Sequence, residues 1–230
     1  MLDIFGEHER AAPHYHESLA LFEALADEPN AANLRFRVAA NLTNQGQGEA
    51  AAASIEESLE EFRRLGLRVG EAQAFSYLGV IAARRGELAS AAELFAQSAM
   101  IAREVDWPWW EIFQHMSLAD CERQRGRFAN AQTHANSALQ LALDIGDRMS
   151  AVFAAAELAC AAVAQDNATL AGRLWGAIES EEANGPIGQW AKERESYESL
   201  MLSTTGPQFE QARQQGTLLS LSEASQSTES

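Results

Sequence analysis

Two stretches of the chain, 86–104 (GELASAAELFAQSAMIARE) and 126–144 (GRFANAQTHANSALQLALD), align with an offset of 40 residues. The same offset relates three further columns of residues: a turn residue, an alanine five positions later, and a residue four positions after the alanine that is large in four of its five members. The columns are Gly6, Gly46, Gly86, Gly126 and Asp166; Ala11, Ala51, Ala91, Ala131 and Ala171; and Tyr15, Ile55, Phe95, Ala135 and Trp175. A fixed period of roughly 20 to 50 residues is typical of repeat proteins.

Each column has a physical explanation. Glycine or aspartate tolerates a left-handed backbone, so the turn residue ends one helix and allows the chain to reverse. The alanine, and a small residue before the turn, let the two helices approach closely. The small residues before the turn are Ala39, Gly79, Ala119 and Ala159. Apolar residues recur every three or four positions, and no segment shows a sustained period of two, so the sequence predicts an all-α fold of antiparallel helix pairs.

The repeat predicts nine helices, at 8–26, 31–45, 48–65, 69–85, 88–104, 107–125, 128–144, 148–165 and 168–182. The first repeat lacks its first helix, because Met1 falls just before its turn. Asp106 stands before Trp107 and Pro108 and is predicted to cap the helix that follows. We expect three regions. They are a helical array over 1–182 (a half repeat plus four repeats), capping helices over 183–217 (near 188–203 and 208–215), and a flexible tail over 218–230.

Composition and charge exclude several classes of function. The net charge of −16 disfavours binding to nucleic acid or to an anionic membrane, since both require basic residues. No apolar run reaches the length of a membrane span, and the N-terminus lacks the order of a signal peptide. Cys121 and Cys160 have no metal-like spacing, and two free thiols fit a reducing cytoplasm. We therefore expect a cytoplasmic protein with no cofactor.

No catalytic or metal site is predicted. His14 and His16 are two residues apart, whereas chelation on a helix needs a spacing of three or four. His115 and His134 lie on paired helices and are expected to meet as a polar contact. The glutamate runs, such as Glu56 and Glu57, are interpreted as solvated helix faces. No serine, cysteine or threonine has a recognisable nucleophile motif.

A concave groove is the candidate binding surface. In arrays of helix pairs the first helix of each pair lines the groove, and counting from the turns predicts its residues. They are Asn33, Phe36, Asn44, Gln73, Arg84, Trp110, Phe113, Met116, Asp120, Arg123, Gln124 and Phe153. Aromatic side chains and Arg are favoured anchors for partners, although some of these residues are also candidates for packing between repeats. Trp107, Trp109 and Trp110 cannot all face one side of a helix, so at least one is expected to be exposed.

The order Leu-Gly, Gly turn, Ala, aromatic resembles the tetratricopeptide (TPR) repeat. That repeat is usually about 34 residues long. The longer period here is similar to the arrays of bacterial regulators and kinesin light chains. The C-terminal region resembles the end of bacterial signal-transducing ATPases, which often carry a LuxR-type DNA-binding domain. The matching positions are Gly172, Leu174, Trp175, Gly176, Ala177, Gly206, Phe209, Ala212, Gly216, Leu219, Ser220, Leu221, Glu223 and Ala224.

This resemblance implies a sensor or arm module that binds a protein or peptide, including the ATPase region of the same polypeptide. The sequence contains no nucleotide-binding Gly-x-x-x-x-Gly-Lys motif. Two alternatives stay open. One is a free-standing adaptor that scaffolds other proteins, and the other is an enzyme built on a helical solenoid.

Overall fold

The computed structural model describes residues 8–201 and 206–226, and these ranges contain twelve α-helices and no β-strand. The helices are α1 (His8–Ala24), α2 (Glu28–Asn44), α3 (Gly48–Leu65), α4 (Arg68–Arg84), α5 (Leu88–Glu104), α6 (Pro108–Gln124), α7 (Phe128–Asp144), α8 (Arg148–Val163), α9 (Ala168–Ala183), α10 (Trp190–Met201), α11 (Pro207–Gly216) and α12 (Leu221–Ser225). The all-α prediction is confirmed, and each of the nine predicted repeat helices is present with bounds within three residues.

The turn columns adopt the left-handed backbone that the repeat requires. Gly46, Gly86 and Gly126 have φ angles of 81°, 78° and 72°, and Asp166 has a φ of 56°. Each of these residues sits between the two helices of one pair, so the chain reverses within three residues at the glycines and within four at Asp166. Gly6, the first member of this column, lies outside the described residues.

The predicted cap at Asp106 is wrong. Asp106 has a φ of 54° and is itself a turn residue, while Trp107 is the N-cap of α6 and makes no side-chain cap hydrogen bond. Asp106 stands 40 residues from Gly66 and Gly146, which are left-handed as well. The position therefore requires left-handed backbone, which aspartate tolerates better than most residues, and this requirement overrides its preference for capping.

The chain forms two compact units, Met1–Asp106 and Trp107–Ser230. In the first unit α1 to α5 pack in sequence order, each helix against the next. The alanines after the turns, Ala51 and Ala91, are fully buried, as expected for points of close helix approach. At Gly79 an added Cβ would lie 2.7 Å from the ring of Phe95, so only a residue without a side chain admits that ring.

The second unit contains α6 to α12 around an alanine-rich core. Ala131, Ala135 and Ala155 are fully buried between α6, α7, α8 and α9, with Trp175 and Trp190 as the largest buried side chains. Small residues allow short distances between helix axes. The bulk of the core is supplied by large side chains from several helices, which include Ile112, Leu139, Leu158, Leu174 and Phe209.

Helix α11 packs closely against α9 at positions where both helices have glycine. A Cβ added at Gly172 would lie 2.3 Å from the carbonyl oxygen of Phe209, and one at Gly216 would lie 2.1 Å from that of Arg173. The two backbones are therefore in direct contact. Gly172, Gly176, Phe209, Ala212 and Gly216 therefore have a packing role at this contact.

A helix occupies part of the segment predicted to be a flexible tail. Ser220 and Glu223 form a capping box at the start of α12, in which Leu221 and Ala224 are buried. The guanidinium group of Arg173 on α9 donates a hydrogen bond to the carbonyl oxygen of Ala224 at 2.9 Å. The structure thus differs from the prediction over Leu221–Ser225, because a residue far away in sequence satisfies the end of this short helix.

Candidate functional site: the aromatic face of helix α6

Helix α6 begins with a cluster of aromatic side chains. Pro108 occupies the first helical position, where its missing N–H has no structural cost. The rings of Trp107 and Trp110 stack with centroids 4.7 Å apart, and Trp110 lies 6.1 Å from Trp109 and 5.9 Å from Phe113. The four rings therefore form one contiguous cluster over the first turns of the helix.

Part of this cluster is open to solvent. Trp109 is 46% exposed and Phe113 is 41% exposed, whereas Trp107 and Trp110 are half-buried. The prediction that at least one of the three tryptophans is exposed is confirmed. Contiguous exposed apolar surface on a folded protein commonly marks a binding site, and tryptophan is among the residues that contribute most to binding energy.

Polar side chains continue the same helix face beyond the aromatic cluster. Ser117, Asp120 and Gln124 follow Phe113 at spacings of four, three and four residues, which places them on one side of the helix. Arg123 and Gln124 both donate to the carboxylate of Asp120, with the amide of Gln124 at 2.7 Å. We call the set Trp109, Trp110, Phe113, Ser117, Asp120 and Gln124 the α6 face.

The predicted groove residues of the first unit are less accessible. Phe36 is fully buried, with ring centroids 5.7 Å from Phe62 and 5.4 Å from Tyr77, and Gln73 is only 7% exposed. Both side chains therefore pack within the unit. Counting from the turn gives the helix face but not the neighbours that cover it.

The remaining predicted groove residues of the first unit form internal hydrogen bonds. Asn33 donates to the carbonyl of Pro29 at 2.9 Å, and Asn44 lies 3.4 Å from the hydroxyl of Tyr77. Arg84 donates to the carbonyl of Thr43 at 2.6 Å. These contacts lie within α2 and between α2 and α4. Of the predicted residues, the structure thus brings Trp110, Phe113, Asp120 and Gln124 of α6 into one accessible surface, and those of α2 and α4 pack or bond within their own unit.

Helix α10 covers the matching position on α8. Phe153 follows Phe113 by 40 residues and is half-buried, with ring centroids 5.2 Å from Trp190 and 6.2 Å from Tyr197. The hydroxyl of Tyr197 donates to Glu157 at 2.8 Å. Burial raises the pKa of Glu157 to about 7. The sequence did not predict this contact, although Glu157 and Tyr197 are 40 residues apart.

Met116, the other apolar member of the predicted groove on α6, is half-buried against the core of the second unit. It packs α6 against the core and does not extend the exposed surface. Trp109 and Ser117 were not predicted as site residues. The signal for both was in the sequence, because they lie four residues on either side of Phe113.

The cysteines and one histidine pair of this unit have pKa values shifted by burial. Cys121 and Cys160 are buried, and burial raises the pKa of their thiols to about 11 and about 12, so both are protonated at neutral pH. His115 and His134 meet as expected, with their Nδ1 atoms 3.2 Å apart, and burial lowers the pKa of His134. Within 8–201 and 206–226 no three potential metal ligands are grouped together.

No helix in the described part of the chain combines the length and apolar character needed to cross a bilayer. The sequence matches no known protein family and no curated protein. Solved structures are similar in fold. BtubC (BKLC) from P. vanneervenii superposes with a TM-score of 0.71 at 16% identity, covering 92% of this chain and 87% of that one.

The nearly identical TPR-like repeats of a kinesin light chain protein from Podosopora anserina superpose with a TM-score of 0.63 at 15% identity, covering 80% of this chain and 90% of theirs. A variant of those repeats with a single substitution gives the same TM-score at 16% identity. At these identities the similarity shows the fold alone. The chain therefore has a TPR-like repeat fold, as the sequence pattern predicts.

Proposed function

We propose that this protein is a non-catalytic protein-binding module and that the α6 face binds its partner. The observation that carries the proposal is the exposed aromatic cluster around Trp109 and Phe113, which continues into ordered polar groups at Asp120 and Gln124. Aromatic anchors beside preorganised hydrogen-bonding groups are the composition of a protein interface. A TPR-like repeat fold presents such a surface on a rigid helix.

We take the partner segment to be an amphipathic helix with apolar or aromatic side chains on one face. The α6 face runs from Trp109 to Gln124, about four helical turns or roughly 22 Å. The packing of α8 supports this choice, because Phe153, at the repeat position of Phe113, is covered by a helix that contributes Trp190 and Tyr197. Helix-in-groove binding uses anchors spaced by three, four and seven residues.

The biological setting of this module is a further part of the proposal. We infer that it is the sensor or arm region of a larger bacterial signalling or transcription-regulating ATPase, and the resemblance of the C-terminal residues supports this. A free-standing cytoplasmic adaptor is the second candidate. Sequencing the reading frame around the gene distinguishes them, because the first requires a nucleotide-binding domain in the same polypeptide and the second requires its absence.

The proposed surface is tested by site-specific photocrosslinking in cells. A photoreactive phenylalanine analogue replaces Phe113, and in a matched control it replaces Leu218, which is 86% exposed in the same unit. We expect a defined adduct from position 113 that is lost when Trp109 is changed to Ala. An adduct formed equally from position 218, or one that is insensitive to Trp109→Ala, contradicts binding at the α6 face.

A further inference from the structure

A half-open cavity of about 280 Å³ lies between α1, α2 and α3 in the first unit. Leu19, Val38, Ala39 and Leu42 supply its apolar wall, and Arg35, Ser54, Glu57, Ser58 and Glu61 supply its polar wall. A cavity with one apolar wall and a charged rim suits a ligand with an aliphatic part and an ionic end.

The 40-residue repeat shows that the fold does not require three of these polar groups. In the second repeat Phe75, Leu94 and Ile101 stand at the positions of Arg35, Ser54 and Glu61. Phe75 and Ile101 are buried there at 7% and 2% exposure, and Leu94 is half-buried. At the other two polar positions, those of Glu57 and Ser58, the second repeat has Gln97 and Ser98, so it replaces three of the five polar groups with apolar side chains.

The charges around the cavity favour a cation. Arg35 is held between Glu61 and Glu23, with nitrogen–oxygen distances of 2.9 Å to each. Arg64 lies 3.1 Å from Glu28 and 3.8 Å from Glu61. Together with Glu57, this corner of the unit carries four carboxylates and two guanidinium groups. An anion would have to displace a carboxylate from Arg35, whereas a cation meets an excess of negative charge.

Glu57 is the carboxylate available to such a ligand. It lines the cavity and is exposed, and within the described residues it forms no hydrogen bond or ion pair. The serine hydroxyl of Ser58 is already used, since it donates to the carbonyl of Ser54 at 2.8 Å. The cavity lining therefore includes one exposed carboxylate that no neighbouring side chain neutralises.

We propose that this cavity binds an aliphatic chain ending in a cationic nitrogen, with the chain against Leu19, Val38 and Leu42 and the nitrogen beside Glu57. A free alkylamine and a lysine side chain share this chemistry. The inference does not depend on the α6 face, because it uses residues of α1, α2 and α3 only.

The test is a methyl NMR titration of the full chain with three probes of equal length: n-pentylamine, 1-pentanol and pentanoate. We expect pentylamine to shift the methyl signals of Leu19, Val38 and Leu42 at the lowest concentration and pentanoate at the highest. Glu57→Gln should weaken pentylamine binding by about two- to five-fold, the effect of one exposed ion pair. Equal binding of pentanoate and pentylamine overturns the proposal.

Two matched variants make the result specific. Glu56→Gln removes a charge from the adjacent exposed residue of α3, which does not line the cavity, and should leave the affinity unchanged. Ser54→Leu introduces the side chain of the second repeat and should fill the cavity and abolish the shifts. Persistent shifts in Ser54→Leu, or equal losses in both glutamine variants, overturn the site.

The source of the cation is resolved by two further probes, spermidine and an acetyl-Gly-Lys-Gly-amide peptide. Tighter binding of spermidine identifies a free polyamine as the ligand class, and tighter binding of the peptide identifies a lysine side chain of a partner. Either result supports the cavity as a cation site. Failure of both probes to shift the three methyl groups overturns it.

Discussion

Replacing Gly176 with alanine should separate α11 from α9. An added Cβ at Gly176 would lie 2.0 Å from the carbonyl oxygen of Arg213 and 2.9 Å from the amide nitrogen of Thr217. Both are backbone atoms, so the clash cannot be relieved by rotating a side chain. Since real Cβ atoms essentially never approach closer than 3.0 Å, α11 has to move by about 1 Å.

The expected loss of stability follows from two opposing effects. Overpacking typically destabilises by about 1–3 kcal/mol, and a clash with backbone belongs at the upper end. Alanine in a helix offsets about 0.5–1 kcal/mol of this relative to glycine. The net loss is about 2 kcal/mol, which lowers the melting temperature of a chain of this length by roughly 4–8 °C.

The assay is thermal unfolding followed by circular dichroism and by tryptophan fluorescence. All five tryptophans lie in the second unit, so the fluorescence reports that unit alone. Gly48→Ala in the first unit is the control and is followed by circular dichroism, because its Cβ would lie 3.1 Å from the side chain of Ile81 rather than from backbone and should lower the melting temperature less. A Gly176→Ala variant that melts at or above the wild-type temperature refutes the glycine contact.

Three further predictions concern the core and pH. Ala91→Leu and Ala131→Leu should each lose roughly 1–3 kcal/mol by overpacking a closed helix contact, measured by urea denaturation. Burial raises the pKa of Glu157 from 4.5 to about 7, so the folded state retains a proton that the unfolded state releases. Stability therefore falls as pH rises from about 4.5 to about 7, and Glu157→Gln should flatten that slope in melting temperature against pH. Burial lowers the pKa of His134 below 6.5, so stability is lost as pH falls below that value, and His134→Gln should reduce the loss in the same assay.

The helices and their turns were predictable because local chemistry determines them. Gly86 and Gly126 mark positions where the backbone must be left-handed, and the alanine five residues later marks the close helix contact. Both requirements act over a few residues and recur at a fixed period. The same period places Asp106 in one column with Gly66 and Gly146, which indicates a left-handed turn. The capping prediction followed the residue type of Asp106 instead of its place in the repeat.

The candidate site was only partly predictable because exposure depends on distant residues. Phe113 and Phe153 stand at the same repeat position, yet Phe113 is 41% exposed while Phe153 packs against Trp190 and Tyr197 of α10. The helix at the C-terminal end was missed for a similar reason. Arg173 donates a hydrogen bond to the end of α12 from 51 positions away, and a local sequence pattern cannot predict such a contact.

The most direct test of the central claim is the affinity of the partner segment identified by crosslinking at Phe113. A synthetic peptide of that segment is titrated calorimetrically against the wild type, Phe113→Ala and the exposed control Leu218→Ala. Binding at the α6 face predicts that Phe113→Ala weakens affinity by about 30-fold, the effect of losing a hot-spot aromatic side chain, while Leu218→Ala and the melting temperatures stay unchanged. Equal affinity of the wild type and Phe113→Ala would contradict the claim.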